Sequence, residues 1–172
     1  INSASLLVAK SKKVLLIGAD LRNPQLHRYL GVSKNETEGL SNYLCDDTDN
    51  WEKYLLNHSG IDIMLSGLIP PNPTEMLAVD KFKLFIEDAR KKYDYILIDS
   101  APCVLVSDTF EISKYSDICF YIIRSNYSDV DLTNFINECK DLEKLNNINL
   151  VLNGVGNSKS YGYKYGYQYG YK

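Results

Sequence analysis

Apolar residues gather along this chain in five short runs, at residues 14–17, 61–65, 95–98, 118–123 and 148–152. The runs at 95–98 and 118–123 are continuous rather than alternating, the pattern of a strand buried on both faces in a parallel sheet, and all five read as strands. The stretches between them carry apolar residues at helical spacing. Residues 1–11 read as the back end of a helix that packs through Leu6, Leu7 and Ala9. A short helix at 24–30 is closed by Gly31, a usual left-handed stop. Further helices are expected at 39–45, at 50–56 after Asp49, from Thr74, at 107–114 and at 129–145. Another, at 80–92, is patterned by Phe82, Phe85, Ile86 and Ala89. Residues 66–73 contain three prolines, which fix φ and remove donors, so this segment is a shaped loop. Strand and helix therefore alternate. The predicted fold class is α/β, with three layers: helices cover both faces of a mostly parallel sheet joined by right-handed crossovers.

Composition narrows the class without giving a chemistry. The chain has 172 residues, 45% hydrophobic and 24% charged, enough to bury the core of one soluble domain. A formal charge of -3, with no basic stripe, argues against nucleic acid as a partner. No apolar run approaches the roughly 20 residues of a membrane helix, and residues 1–5 do not read as a signal peptide. Cys45, Cys103, Cys119 and Cys139 are scattered with no CxxC pair. That favours reduced thiols in a cytosolic domain over metal ligands or disulfides.

Two of the runs end in carboxylates. The run at 95–98 meets Asp99 and then Ser100-Ala101-Pro102; the run at 14–17 meets Gly18-Ala19-Asp20-Leu21-Arg22. Open α/β sheets place ligands beyond the carboxyl ends of their strands, which makes Asp99 and Asp20 the candidate site. An acid ending such a strand is the arrangement of a Walker B motif, whose Asp addresses Mg²⁺ beside a nucleotide. Each residue also has a plainer reading. Asp20 suits a helix cap or surface turn, Asp108 a helix cap, and Arg22 an ordinary ion pair as well as a phosphate. Asn153 before Gly154 suits a turn, and Arg124 ends the strand before it. His27 and His58 read as surface or packing residues. The end of the chain differs in kind: Tyr161, Tyr163, Tyr165, Tyr167, Tyr169 and Tyr171 alternate with Gly or a polar residue. Interspersed glycines weaken a strand, so residues 158–172 read as a mobile low-complexity tail behind a domain of residues 1–157.

The segment around Gly18-Ala19-Asp20-Leu21-Arg22 resembles a Walker A′ motif, and Asp99-Ser100-Ala101-Pro102 a Walker B. With the tyrosine cluster and the segment Ser66-Gly67-Leu68-Ile69-Pro70-Pro71-Asn72-Pro73-Thr74-Glu75, they resemble the bacterial protein tyrosine kinases (BY-kinases). These derive from MinD/ParA-type P-loop ATPases and regulate capsule and exopolysaccharide export; the tail and residues 123–127 look closest to Bacteroidetes members. The resemblance implies a P-loop-NTPase-type sheet and the cofactors ATP and Mg²⁺. It implies that Asp99 holds Mg²⁺ with Asp20 nearby, that Asp20 accepts or orients the proton of an incoming tyrosine, and that Arg22 faces phosphate. Asn153 and Arg124 would lie by the nucleotide. The six tail tyrosines are the implied autophosphorylation sites, each phosphate adding about -1.5 to -2 charges.

Implied partners are further copies of the chain in a ring, with the tail acting in trans, a membrane chain-length-determinant or export protein, and a tyrosine phosphatase. The implied location is the cytoplasmic face of a bacterial inner membrane, through a transmembrane region outside this chain. Two departures stand out. No GxxxxGK[ST] occurs, so the phosphate-cradling loop is expected upstream of the first helix, and this segment alone should bind ATP poorly. Gly18 stands at the first acidic position of Walker A′. The rival readings are a ParA/MinD-type ATPase with water as acceptor, and a catalytically weakened scaffold phosphorylated by others. The tyrosine tail and the lack of a C-terminal amphipathic helix weigh against the first; Gly18 keeps the second open.

Overall fold

In the computed structural model, which describes residues 1–33, 37–128 and 132–155, the sheet is organised around one strand. β1 (Val14–Gly18) pairs in parallel with β3 (Ile61–Met64) on one side and β4 (Tyr95–Asp99) on the other. β2 (Leu55–His58) adds antiparallel to β3, giving the order β2-β3-β1-β4. β5 (Cys119–Arg124) and β6 (Ile148–Asn153) form a separate parallel pair. The connecting helices are α1 (Asn2–Val8), α2 (Leu26–Leu30), α3 (Leu40–Cys45), α4 (Pro73–Leu77), α5 (Asp80–Lys92), α6 (Asp108–Ser113) and α7 (Leu132–Asp141).

All five residues of β1 are buried, as its unbroken apolar run requires. Its alternate side chains feed two cores. Leu15 and Ile17 join Phe82, Phe85, Ile86 and Ala89 of α5, together with Leu40, Tyr43 and Trp51. Val14 and Leu16 join Ala4 of α1, Leu26 of α2, and Ile61 and Ile63 of β3. Each such side chain withdrawn from water contributes about 1.5–3 kcal/mol. The two layers therefore fix β1, and with it the loop that leaves its carboxyl end. Trp51 meets Phe85 edge-on at 5.1 Å between ring centres, in the arrangement that aromatic quadrupoles favour.

The helix expected at 50–56 is not there. Trp51–Tyr54 makes a single 3₁₀ turn and the chain then runs on as β2. Ser59 and Gly60, with φ of 53° and 78°, supply the two left-handed positions of a tight hairpin turn into β3. That turn pins Leu55 opposite Met64 and His58 opposite Ile61, so tertiary pairing overrides a weak helical pattern. α7 ends at Asp141, short of the expected 145 and ahead of Glu143, which has a φ of 50°, while residues 129–131 of the expected helix lie outside the described residues. Gly31 does close α2 in the left-handed conformation, with a φ of 68°.

The β5–β6 pair is covered on one face only. Cys119, Tyr121 and Ile148 pack with Phe110, Phe135 and Cys139, whereas Phe120 and Ile122 are 63% and 57% exposed. The outer edge of β4 has no strand partner among the described residues. Nor is any helix among them long and apolar enough to cross a membrane. All four cysteines are free thiols. The six tyrosines from Tyr161 to Tyr171 lie outside the described residues.

Candidate active site

Strand pairing brings the two predicted carboxylates together. Gly18 stands opposite Asp99 in the β1–β4 register, and the Ala19 N–H donates to the Asp99 carbonyl at 2.7 Å. The loop leaving β1 therefore starts against the end of β4, and Asp20 follows one residue later. Its Oδ1 accepts the backbone N–H groups of Arg22 at 3.1 Å and Asn23 at 2.9 Å. That is an Asx-type turn, which short acidic side chains favour. The turn reading of Asp20 and its place in the site thus hold together: the same turn aims the carboxylate. Its other oxygen, Oδ2, takes no hydrogen bond from the described residues.

Asp99 remains reachable at its strand end, yet the protein around it is dense enough to desolvate the charge. Burial raises its carboxyl above the ordinary value, and the negative charge of Asp20 raises it further. A carboxylate whose charge is disfavoured by burial and by a neighbouring acid suits a divalent cation beside it. Mg²⁺ takes hard oxygen donors, and its sites commonly use one or two carboxylates completed by water and phosphate oxygens. Asp99 and Asp20 fit that donor set. No group of three or more His, Cys, Asp or Glu side chains is arranged to hold a metal among the described residues, so these carboxylates would hold the ion only with help from its other ligands.

Arg22 takes the ion-pair alternative. Its Nε donates to Asp108 Oδ2 at 2.8 Å and its Nη2 to Asp108 Oδ1 at 3.0 Å, a two-pronged fork. Thr74 completes the group: its hydroxyl accepts from Arg22 Nη2 at 3.1 Å and donates to Asp108 Oδ1 at 2.6 Å. Asp108 is fully buried at the start of α6. Neither Asp108 as an ion-pair partner nor Thr74 as part of a network is visible in the sequence, because an acid after Ser107 reads as a helix cap. Burial alone would raise the Asp108 carboxyl, but the bonds from Arg22 and Thr74 outweigh it and hold it below the ordinary value. The same carboxylate raises the Arg22 guanidinium, against the opposing effect of burial.

Gly18 has a neighbour that accounts for its small size. A Cβ at this position would lie 2.9 Å from Ser66 Oγ and 3.2 Å from the Ser66 backbone nitrogen. Ser66, buried after β3, therefore takes up the space beside the end of β1. Arg124 and Asn153 are neighbours too, opposite each other at the carboxyl ends of β5 and β6, with the Ser125 N–H donating to the Asn153 carbonyl at 2.8 Å. The Asn153 side chain accepts the Gly154 N–H at 2.8 Å, the local turn bond its sequence suggests. His58 is exposed at the end of β2, which runs away from the carboxyl ends of β1 and β4.

No family model matches the chain. It is similar to the tyrosine-protein kinase YwqD of Bacillus subtilis, at 30% identity over 165 residues that take in 94% of this chain and 69% of that protein. It is likewise 30% identical to the tyrosine-protein kinase Etk of Escherichia coli, over 93% of this chain but 22% of Etk. The chain thus spans under a quarter of that relative's length. In structure it matches the kinase domain of Etk with a TM-score of 0.82 at 30% identity, covering 96% of this chain and 65% of that one. Cobyrinic acid a,c-diamide synthase from Mycobacterium smegmatis, solved with an ATP analogue and magnesium, shares the fold at 16% identity and a TM-score of 0.67, over 86% of this chain and 63% of that one.

Proposed function

The chain belongs to the bacterial tyrosine-protein kinase family, and from that membership we propose that it is the phosphoryl-transfer part of a longer kinase. It moves the γ-phosphate of MgATP to tyrosines of its own C-terminal cluster, in a protein that regulates capsule or exopolysaccharide export. The observation that carries this reading is the pairing of β1 with β4, which sets Asp20 beside Asp99 at the carboxyl end of the sheet. Asp99, with Asp20 nearby, is the ligand for Mg²⁺, which when bound neutralises charge on the phosphates. Asp20 offers its free oxygen, Oδ2, to the acceptor. A phenol has a pKa of about 10 and carries its proton at neutral pH, so the carboxylate orients or accepts that proton. The tyrosine oxygen bonds to the γ-phosphorus as the bond from phosphorus to the departing ADP oxygen breaks. Arg124 and Asn153 form the candidate nucleotide ledge, and the acceptors are Tyr161, Tyr163, Tyr165, Tyr167, Tyr169 and Tyr171.

The phosphate-cradling loop belongs, in this reading, ahead of Ile1. One feature supports that: among the described residues, β4 and the β5–β6 pair each have an edge that one further parallel strand would fill. The same reading makes the working unit a ring of copies that exchange tails, joined to a membrane-bound export protein at the cytoplasmic face and reset by a tyrosine phosphatase.

The test is the fate of labelled γ-phosphate in the full-length protein. The kinase reading expects label on tyrosine, lost in Asp99→Asn and Asp20→Asn. Label released only as inorganic phosphate would mean that water is the acceptor. Label on neither would leave a scaffold, the outcome that Gly18 at an acidic position favours.

A further inference from the structure

Two carboxylates do the proposed chemistry, but a third is buried more deeply than either. Asp108 accepts three hydrogen bonds, two from Arg22 and one from Thr74, and has no exposed surface. Its partners are remote in sequence, 86 residues away for Arg22 and 34 for Thr74. They come from the Asp20 loop and from the first turn of α4, which follows the proline-rich loop. α6, which carries Asp108, is itself tied to the other carboxylate. The Thr109 hydroxyl donates to the Ala101 carbonyl at 2.6 Å and lies 3.2 Å from Ser100 Oγ, so α6 is bonded to the two residues that follow Asp99. Its inner side is anchored by Ile112, which sits in the α5 core.

We propose that Asp108, gripping Arg22 together with Thr74, is a positioning residue that sets Asp20 in register with Asp99. The route is short. Asp99 leads into Ser100 and Ala101, which hold α6 through Thr109. α6 presents Asp108, whose two oxygens take Arg22 in a fork that fixes the guanidinium in plane and direction. The backbone N–H of Arg22 in turn holds Asp20 Oδ1. A buried ion pair of this kind is often no more stabilising than an apolar pair of the same shape, so what it supplies over an apolar pair is geometry. The inference rests on the kinase reading for what Asp20 does, but not for how Asp20 is held.

The experiment uses the full-length protein and three variants: Asp108→Asn, Thr74→Val, and the apolar exchange Arg22→Met with Asp108→Leu. Misplacing a reacting group by about 1 Å can cost about 100-fold in rate. Accordingly, Asp108→Asn is expected to lower kcat for tail phosphorylation by about 10- to 100-fold while KM for MgATP moves by less than about threefold. The apolar exchange separates geometry from folding: it is expected to regain the wild-type melting temperature and keep the kcat loss. Recovery of kcat together with melting temperature would overturn the proposal, as would a loss in Asp108→Asn that only tracks the unfolded fraction. Should the wild type place no phosphate on tyrosine, the kinase reading fails by itself, and amide exchange then decides. Faster exchange of the Arg22 and Asn23 amides in Asp108→Asn, with α5 unchanged, upholds the positioning role. Unchanged exchange of those two amides removes it.

Discussion

At the scale of single residues, Asp99 and Asp108 are opposites, and pH should expose the difference. The Asp108 carboxyl is held below its ordinary value by Arg22 and Thr74 against the effect of burial. It therefore stabilises the fold at any pH above about 4, the unfolded value, and that contribution is lost only as pH falls through the lower folded value. Asp99 is raised by burial and by Asp20. The stability linked to its protonation is present below about pH 4 and lost as pH rises through the raised folded value. Asp99→Asn is therefore expected to raise the melting temperature at pH 7 while abolishing phosphoryl transfer, and the gain should shrink as the buffer approaches pH 4. Asp108→Ala should lower the melting temperature, through a stability loss of about 1–3 kcal/mol, because truncation leaves the half-buried Arg22 guanidinium and the Thr74 hydroxyl without their acceptor. Thermal melts at pH 7 and pH 4 check both signs. Gly18 is a third residue with a defined neighbour. Gly18→Ala is expected to destabilise through its contact with Ser66, and Ser66→Gly in the same chain should recover most of that loss in denaturant titrations.

Among the elements, α5 is the one on which the sheet depends most. Phe82 and Phe85, 0% and 1% exposed, fill the layer between α5 and β1. Phe82→Ala is expected to cost about 3–5 kcal/mol, and the single tryptophan, Trp51, packed on Phe85, should report it as an earlier, red-shifted fluorescence transition in urea. This helix was legible in the sequence because its apolar positions repeat at one period over 13 residues. β1 and β4 were legible because both faces are buried or half-buried and their runs are unbroken. β2 was not. Its four residues alternate too weakly to signal a strand, and only the Ser59-Gly60 turn, a short and common dipeptide, marks the hairpin. The site divides along the same line. Asp20 and Asp99 announce themselves by ending apolar runs, and the register of β1 with β4 follows from those runs. The fork of Arg22, Asp108 and Thr74 joins three segments whose meeting depends on how α4 and α6 pack, and no local pattern encodes that.

For the whole molecule, the four-stranded sheet and the β5–β6 pair read as parts of one P-loop-type architecture, as the match to the Etk kinase domain over 96% of the chain indicates. The open edge of β4 and the exposed Phe120 and Ile122 are the surfaces that further chain would cover in the proposed full-length kinase. On that account the 172-residue segment alone should bind MgATP weakly, and the full-length protein tightly, in titration calorimetry. The central claim is that two carboxylates at the carboxyl ends of paired strands direct a phosphoryl group to the tail. Its most direct test is mass spectrometry of the full-length protein after incubation with MgATP, counting phosphates on Tyr161 to Tyr171 beside an Asp99→Ala control. The account predicts several phosphates on the tail of the wild type and none on the control. A tail equally phosphorylated in both, or bare in both, would contradict it.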